Sequence, residues 1–244
     1  MNKQIIFYVV SFGLTLTGQL YNMRSDCPIK LSEQERKDIL QNREYFIEQL
    51  GKTTNIGDKN EAPYDLRCTD LQNLPIGQRW LINLDLSGAM LDNAQHFNGV
   101  LQLIDLSDAS LKNIDLSRTQ MWDCTLDRAN FTGASLAGCN LIGETEPISA
   151  KNANFTGANI SATAAITNIN LQGAIFDDAL LSNADLNKFT IDDTTSFKKT
   201  NLQMSQLTGW TGQTGDLKNF LLKQRTKLAG ASIDGTDTDM SFGS

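Results

Sequence analysis

From Leu66 to Leu141, every fifth residue is large and apolar with one exception. The series runs through Leu71, Ile76, Leu81, Leu86 and Leu91, and continues from Leu101 through Met121 and Phe131; the exception is His96. One residue later the register is mostly polar, with Arg67, Gln72, Ser87 and Asp92. A period of five is neither the 3.6 of a helix nor the 2 of a flat strand. Self-similarity at a short fixed period marks a solenoid, whose units stack so that one core runs up the middle.

The repeating units have a consistent form. Gly88-Ala89-Met90-Leu91-Asp92, Arg128-Ala129-Asn130-Phe131-Thr132 and Gly133-Ala134-Ser135-Leu136-Ala137 each carry a small residue two places before the central one. Asp or Asn recurs one place before it, as at Asp65, Asp85, Asp105, Asp115 and Asn130. In this the chain resembles the pentapeptide-repeat family over residues 64–209. The resemblance implies an all-β solenoid, a right-handed quadrilateral β-helix with four pentads to a coil. It also implies that the central residue and the small one point inward and the other three outward. Cys124 and Cys139 occupy the small inward place and read as buried thiols. Between Leu141 and Phe155 the register breaks one residue short of three steps, around Gly143, Glu144, Glu146 and Pro147. A protruding loop near 143–150 is expected there. The register slips by one residue before Ile166 and again before Phe197, as bulge-like corner insertions would make it.

A solenoid leaves a core and strand edges open at each end, so it needs caps. Residues 29–50 form a helix candidate with Ser32 as N-cap and Glu35 completing a capping box, which starts the capping helix near 32–50. Ile39, Leu40, Phe46, Ile47 and Leu50 fall on one face. Residues 51–63 read as a connector. A second helix is expected over 216–228, with Phe220, Leu221, Leu222 and Leu228, and it is also a candidate homodimer surface. Residues 230–244 are rich in Gly, Ser, Thr and Asp and read as a flexible tail. The organisation is therefore 1–19 leader, 20–63 N-terminal segment, 64–209 repeats, and 210–244 helix and tail.

The leader reading rests on Lys3 followed by the apolar run Ile5–Val10, continued by Phe12, Leu14 and Leu16 and closed by Thr17-Gly18-Gln19. It points to export to a periplasm, lumen or medium. The alternatives are an N-terminal anchor or a buried strand; without a signal the protein is cytoplasmic. The run is too short for a stable membrane span. Cys27 and Cys68 lie outside the regular coils and are available for a bridge in an oxidising compartment, with the pairing left open.

The formal charge is −7, and it lies on the repeats: residues 81–209 hold 14 acidic and 7 basic side chains. Such a rod lacks the cations that direct nucleic-acid binding requires and attracts basic protein surfaces instead. A single histidine leaves little from which to build a catalytic set, and there is no CxxC pair and no Gly-rich phosphate loop. The recurring Asp and Asn read as outward consensus positions rather than a calcium ladder. No enzyme activity, metal or cofactor is expected. Stacking residues twenty apart gathers the outward apolar side chains Trp80, Ile82, Val100, Leu103, Trp122 and Ile142 on one wall. That wall is a candidate protein-contact face, with Glu144, Glu146 and Pro147 as a candidate contact loop, unless helix 33–50 or the loop covers it. The expected function is a non-enzymatic, exported scaffold or protein-binding module. The family resemblance supplies one alternative, the branch that mimics DNA and protects gyrase. The acidic repeats and the loop suit it; the leader opposes it, because gyrase is cytoplasmic.

Overall fold

The computed structural model describes residues 23, 26–50, 52–53, 55–74, 76–94, 98–162, 164–212, 216–233 and 236–237. The leader, His96 and the last residues of the tail lie outside them. The chain forms a parallel β-solenoid of about 7 turns. Its short strands pair in parallel with those one coil on: Trp80 with Val100, Leu81 with Leu101, and Met121 with Leu141. The same stagger links Asp85 to Asp105, Met90 to Ser110 and Asp115 to Ser135, one bridge for each of the other sides. Four sides of five residues make the square coil that the resemblance implies.

The pentad geometry has a local cause. Most sides end in a corner residue with positive φ, such as Asn93 at 58°, Asn113 at 54° and Asp178 at 57°, where Asn, Asp and Gly cost least. The Asp or Asn before the central residue accepts a hydrogen bond from the backbone N–H two residues on: Asp85 from Ser87 at 3.0 Å, Asp105 from Ser107 at 2.8 Å, Asn130 from Thr132 at 3.0 Å. These Asx turns bend the chain at the corners that follow an Asp or Asn in this place. They give these recurring acidic and amide side chains a structural role in the turns.

Inside, the central residues from Leu66 to Leu141 are buried wherever they are described. One column turns aromatic. Phe131, Phe155, Phe176 and Phe197 stack with centroids 4.9, 4.8 and 5.0 Å apart and nearly parallel planes. The position two before the centre is not always small. Ile104, Ile114, Ile169 and Phe189 fill it and are buried, so coil cross-section is tuned by volume rather than by a strict small residue. Where Thr or Ser takes that place, the hydroxyl is paired, as in Thr69 to the Leu66 carbonyl at 2.7 Å and Thr200 to the Phe176 carbonyl at 2.7 Å.

The break after Leu141 differs in detail from the sequence expectation. Thr125 pairs with Ser149 and Asn130 with Asn154, four residues beyond the usual stagger of twenty. The insertion is therefore four residues long, and the loop ends at Pro147. Ile148–Ser149 is a strand, with Ile148 and Ala150 buried. Ala150 takes the central place; its small side chain hides the register from a reading that looks for large apolar residues.

Both ends also differ from the expected bounds. Asn55–Ile56 already pairs with Trp80–Leu81, and Ser232–Ile233 still pairs with Gln206–Leu207 before turning back antiparallel onto Thr236–Asp237. Strand pairing therefore continues past 64–209 at both ends, and residues 232–233 and 236–237 of the expected flexible tail are strand. The first helix, α1, runs Glu33–Leu50. Its capping box is formed: the Glu35 carboxylate accepts the Ser32 N–H at 2.8 Å and the Glu35 N–H donates to Ser32 Oγ at 3.2 Å. The second, α2, is Leu217–Lys223 and not 216–228. The Gln224 side chain leaves the helix to accept the Phe197 N–H at 2.6 Å, and Leu228 returns to the core on the last coil.

Cys124 and Cys139 are buried free thiols. Loss of hydration pushes both up to about 12, from an ordinary value near 9. The folded chain should leave both unreactive to a disulfide reagent until it unfolds. A raised thiol stabilises the fold fully below the unfolded value and loses that contribution as pH climbs toward the folded one. The denaturation midpoint should therefore fall between pH 9 and 11, and fall less in a Cys124→Ala, Cys139→Ala variant.

Candidate protein-contact face

Parallel pairing aligns the wall in two vertical columns. One runs Trp80, Val100, Gln120, Asn140; the other runs Ile82, Gln102, Trp122, Ile142. The two tryptophans thus stand in different columns, two coils apart. Trp80 is 48 % exposed. Ile82, Trp122 and Ile142 are partly exposed. Val100 corrects the expectation: it is 6 % exposed and lies between Trp80 and Gln120, whose larger side chains flank it in the column. It supports the face from beneath and offers little surface. Leu103 is 40 % exposed, but it stands at the corner rather than on the flat of the wall. Lower on the same wall the outward positions are Ala165, Thr167, Asp185, Asn187, Gln206 and Thr208, so the apolar strip belongs to the N-terminal coils.

Helix α1 was one candidate cover for this strip, and it lies elsewhere. Its side chains reach the open end of the first coil. Asn42 Nδ2 donates to the Asp65 carbonyl at 3.1 Å and Arg43 Nε to the Asp70 carbonyl at 2.7 Å. Those carbonyls occupy places that, further along, accept from the preceding coil, as Asp85 and Met90 do from Leu66 and Leu71. Tyr45 meets Tyr64 with centroids 5.9 Å apart, and Phe46 and Leu50 close the core. Arg67 binds the cap to the coils through Asp65 at 2.9 Å and Glu35 at 3.4 Å. Burial of Tyr64, with Tyr45 beside it, raises its phenol well above the ordinary range. The helix is an end cap: it satisfies a strand edge that would otherwise pair with another chain. Leu217 and Leu221 of α2 are buried in the chain's own core, which leaves Leu222, 45 % exposed, as the apolar residue on its outer side.

Cys27 and Cys68 are joined by a disulfide. It anchors a small satellite cluster, in which Met23, Ile39 and Cys68 are buried, to the first coil.

The loop is built into the wall's corner. Asp123 Oδ1 accepts the Glu144 N–H at 2.8 Å and the Thr145 N–H at 3.4 Å, and Asn168 Nδ2 donates to the Gly143 carbonyl at 2.9 Å. A Cβ on Gly143 would come within 2.4 Å of the Glu146 carbonyl oxygen, so only glycine permits this tight return. Glu144, Glu146 and Pro147 are exposed, and no ion pair joins either carboxylate to another described residue. Among the described residues no group of three or more His, Cys, Asp or Glu is placed to hold a metal ion. No helix of the described residues is long and apolar enough to cross a membrane.

Residues 104–143 match the family model described as pentapeptide repeats, in eight copies. No curated protein sequence matches the chain. Three similar solved structures illustrate the range of its structural neighbours. A trypsin-treated variant of QnrB1, a plasmid-mediated fluoroquinolone resistance protein, is 19% identical over 68% of this chain and 77% of its own, with a TM-score of 0.46. HetL, involved in heterocyst differentiation regulation in the cyanobacterium Nostoc sp. strain PCC 7120, is 22% identical over 72% of this chain and 86% of its own, with a TM-score of 0.34. A pentapeptide repeat protein of the Arabidopsis thaliana thylakoid lumen is 23% identical over 56% of this chain and 80% of its own, with a TM-score of 0.23.

Proposed function

We propose that this pentapeptide-repeat solenoid is an exported, non-enzymatic scaffold that binds a protein partner through the N-terminal half of one wall. The carrying observation is the uncovered strip around Trp80. Trp80, 48 % exposed, shares its wall with Ile82, Trp122 and Ile142 and is bordered by Leu103, whereas in the same N-terminal coils the side bridged through Asp85 and Asp105 is acidic; the other exposed apolar side chains of the repeats, Leu180 and Met204, stand apart in the C-terminal coils. Export is supported by the leader-like first residues and by the Cys27–Cys68 disulfide, a bond typical of oxidising compartments. The same two features weigh against the DNA-mimicking, gyrase-binding alternative. That alternative keeps the acidic repeats in its favour, and cell fractionation with the mass of the mature N-terminus separates the two.

The binding reading is tested with a photo-crosslinking amino acid at position 80, and at position 156 on a polar wall as control. A discrete adduct is expected in the native cell from position 80 and none from 156. Equal adducts from both, or none from either, would refute the contact face.

A further inference from the structure

One residue of the strip sits at a corner of the coil rather than on its flat side. The corner column that follows this wall is Asn83, Leu103, Asp123, Gly143, Asn168, Lys188 and Gly209; all but Gly143 have positive φ, between 50° and 60°. Asn, Asp and Gly suit this left-handed backbone best; other side chains adopt it at a cost of about 1–2 kcal/mol. Leu103 nonetheless occupies it, and its N–H donates to the Trp122 carbonyl at 3.0 Å, which seats it on the rim of that tryptophan's strand. The same corner conformation is held by Arg118, Arg128, Lys188 and Met204, so it is the fold's ordinary corner; at Leu103 its effect is to project an apolar side chain, 40 % exposed, beside the Trp122 strand.

The second observation is charge. From Trp80 to Ile82, Val100 to Leu103, Gln120 to Asp123 and Asn140 to Pro147 there is no Lys or Arg, while Asp123, Glu144 and Glu146 are acidic. Asp123 is engaged in holding the loop, and the two glutamates carry their charge outward on a backbone pinned from both sides. Coils are stacked at about 4.8 Å, so the loop lies about 10 Å from Leu103 along the rod, three residues of extended chain.

From this juxtaposition we infer that the corner formed by Leu103, Trp122, Ile142 and the loop at Glu144 and Glu146 is a recognition notch for an extended basic segment of a partner protein. The segment carries an aliphatic side chain against Leu103 and Trp122 and a Lys or Arg three residues along, facing the glutamates. This rests on the contact-face reading and adds the chemistry of the partner. Pre-organisation of the loop spares the segment the cost of ordering it, and the exposed glutamates steer a basic segment to the corner.

The probe is the capped hexapeptide Gly-Leu-Ser-Ser-Arg-Gly, titrated by NMR into the intact protein. Shifts are expected at Leu103, Trp122 and the loop. Replacing the peptide's Leu by Ser or its Arg by Gln should weaken binding at least fivefold each, and added salt should weaken it too. Leu103→Asn should lower affinity at least fivefold while leaving the melting temperature equal or higher, because Asn suits the backbone there. Glu144→Gln with Glu146→Gln should abolish the salt dependence. No shifts, equal binding of the control peptides, or an unaltered affinity in Leu103→Asn would overturn the notch. If the position-80 adduct survives in Leu103→Asn cells while the peptide fails, the contact face stands and only the notch is lost.

Discussion

Phe155→Ala is expected to cost about 4 kcal/mol, within the range for removing a buried phenylalanine. Phe155 is 2 % exposed and stacks on both sides, on Phe131 at 4.9 Å and Phe176 at 4.8 Å. Its loss removes two aromatic contacts and leaves a void that neighbouring coils, locked by parallel ladders above and below, have little freedom to fill. Because each coil of a solenoid touches only its neighbours, the damage should weaken the coupling between the two halves of the rod. The guanidinium midpoint should fall sharply, with the transition broadening as the halves separate. Phe155→Leu, which keeps most of the volume, should cost less than half as much. A loss under 1 kcal/mol for the alanine variant would show that the ladder does not carry the core.

The second large effect concerns the N-terminal cap. The Cys27–Cys68 disulfide closes 41 residues of chain. The loop-entropy relation assigns such a closure about 4 kcal/mol. The cluster it anchors, Met23, Ile39 and Cys68, is separate from the main core, whereas Phe46 and Leu50 of α1 belong to the main core. Cys27→Ser with Cys68→Ser should therefore release the first part of the segment and spare the coils. Protease cleavage before residue 40 and fast amide exchange in that region are expected, with protection of the coils retained. If the segment stays as protected as in the wild type, packing and the contacts of Asn42, Arg43 and Arg67 hold the cap without the bond.

How much of this was legible beforehand varies with the range of the interaction. The inward columns and the capping box at Ser32 and Glu35 are local patterns, and each recurs or closes within five residues, whereas the square coil of four pentads was implied by the family resemblance. The Asp and Asn before the central residue were visible as outward consensus positions. Their Asx turns were not, because a carboxylate's partner is a backbone N–H that no letter records. The face was legible in part. Trp80, Ile82, Trp122 and Ile142 are where twenty-residue stacking puts them, while Val100 is sealed between the side chains of adjacent coils. Leu103's corner seat becomes plain only once φ is known.

By itself, the sequence determined that this chain is a solenoid with an apolar axis, because a five-residue period turns the same two side chains of every five inward, and that its repeats carry the net negative charge. Only the tertiary structure decided what stacks on what. The stagger between paired coils grows from twenty to twenty-four at Thr125 and Ser149 and to twenty-six at Asn201 and Lys227, where a loop and a helix are inserted. It also decided that α1 closes the end of the rod rather than covering Trp80, and that Cys27 meets Cys68. Each of these depends on contacts between residues far apart in the chain, and a local repeat holds no information about them.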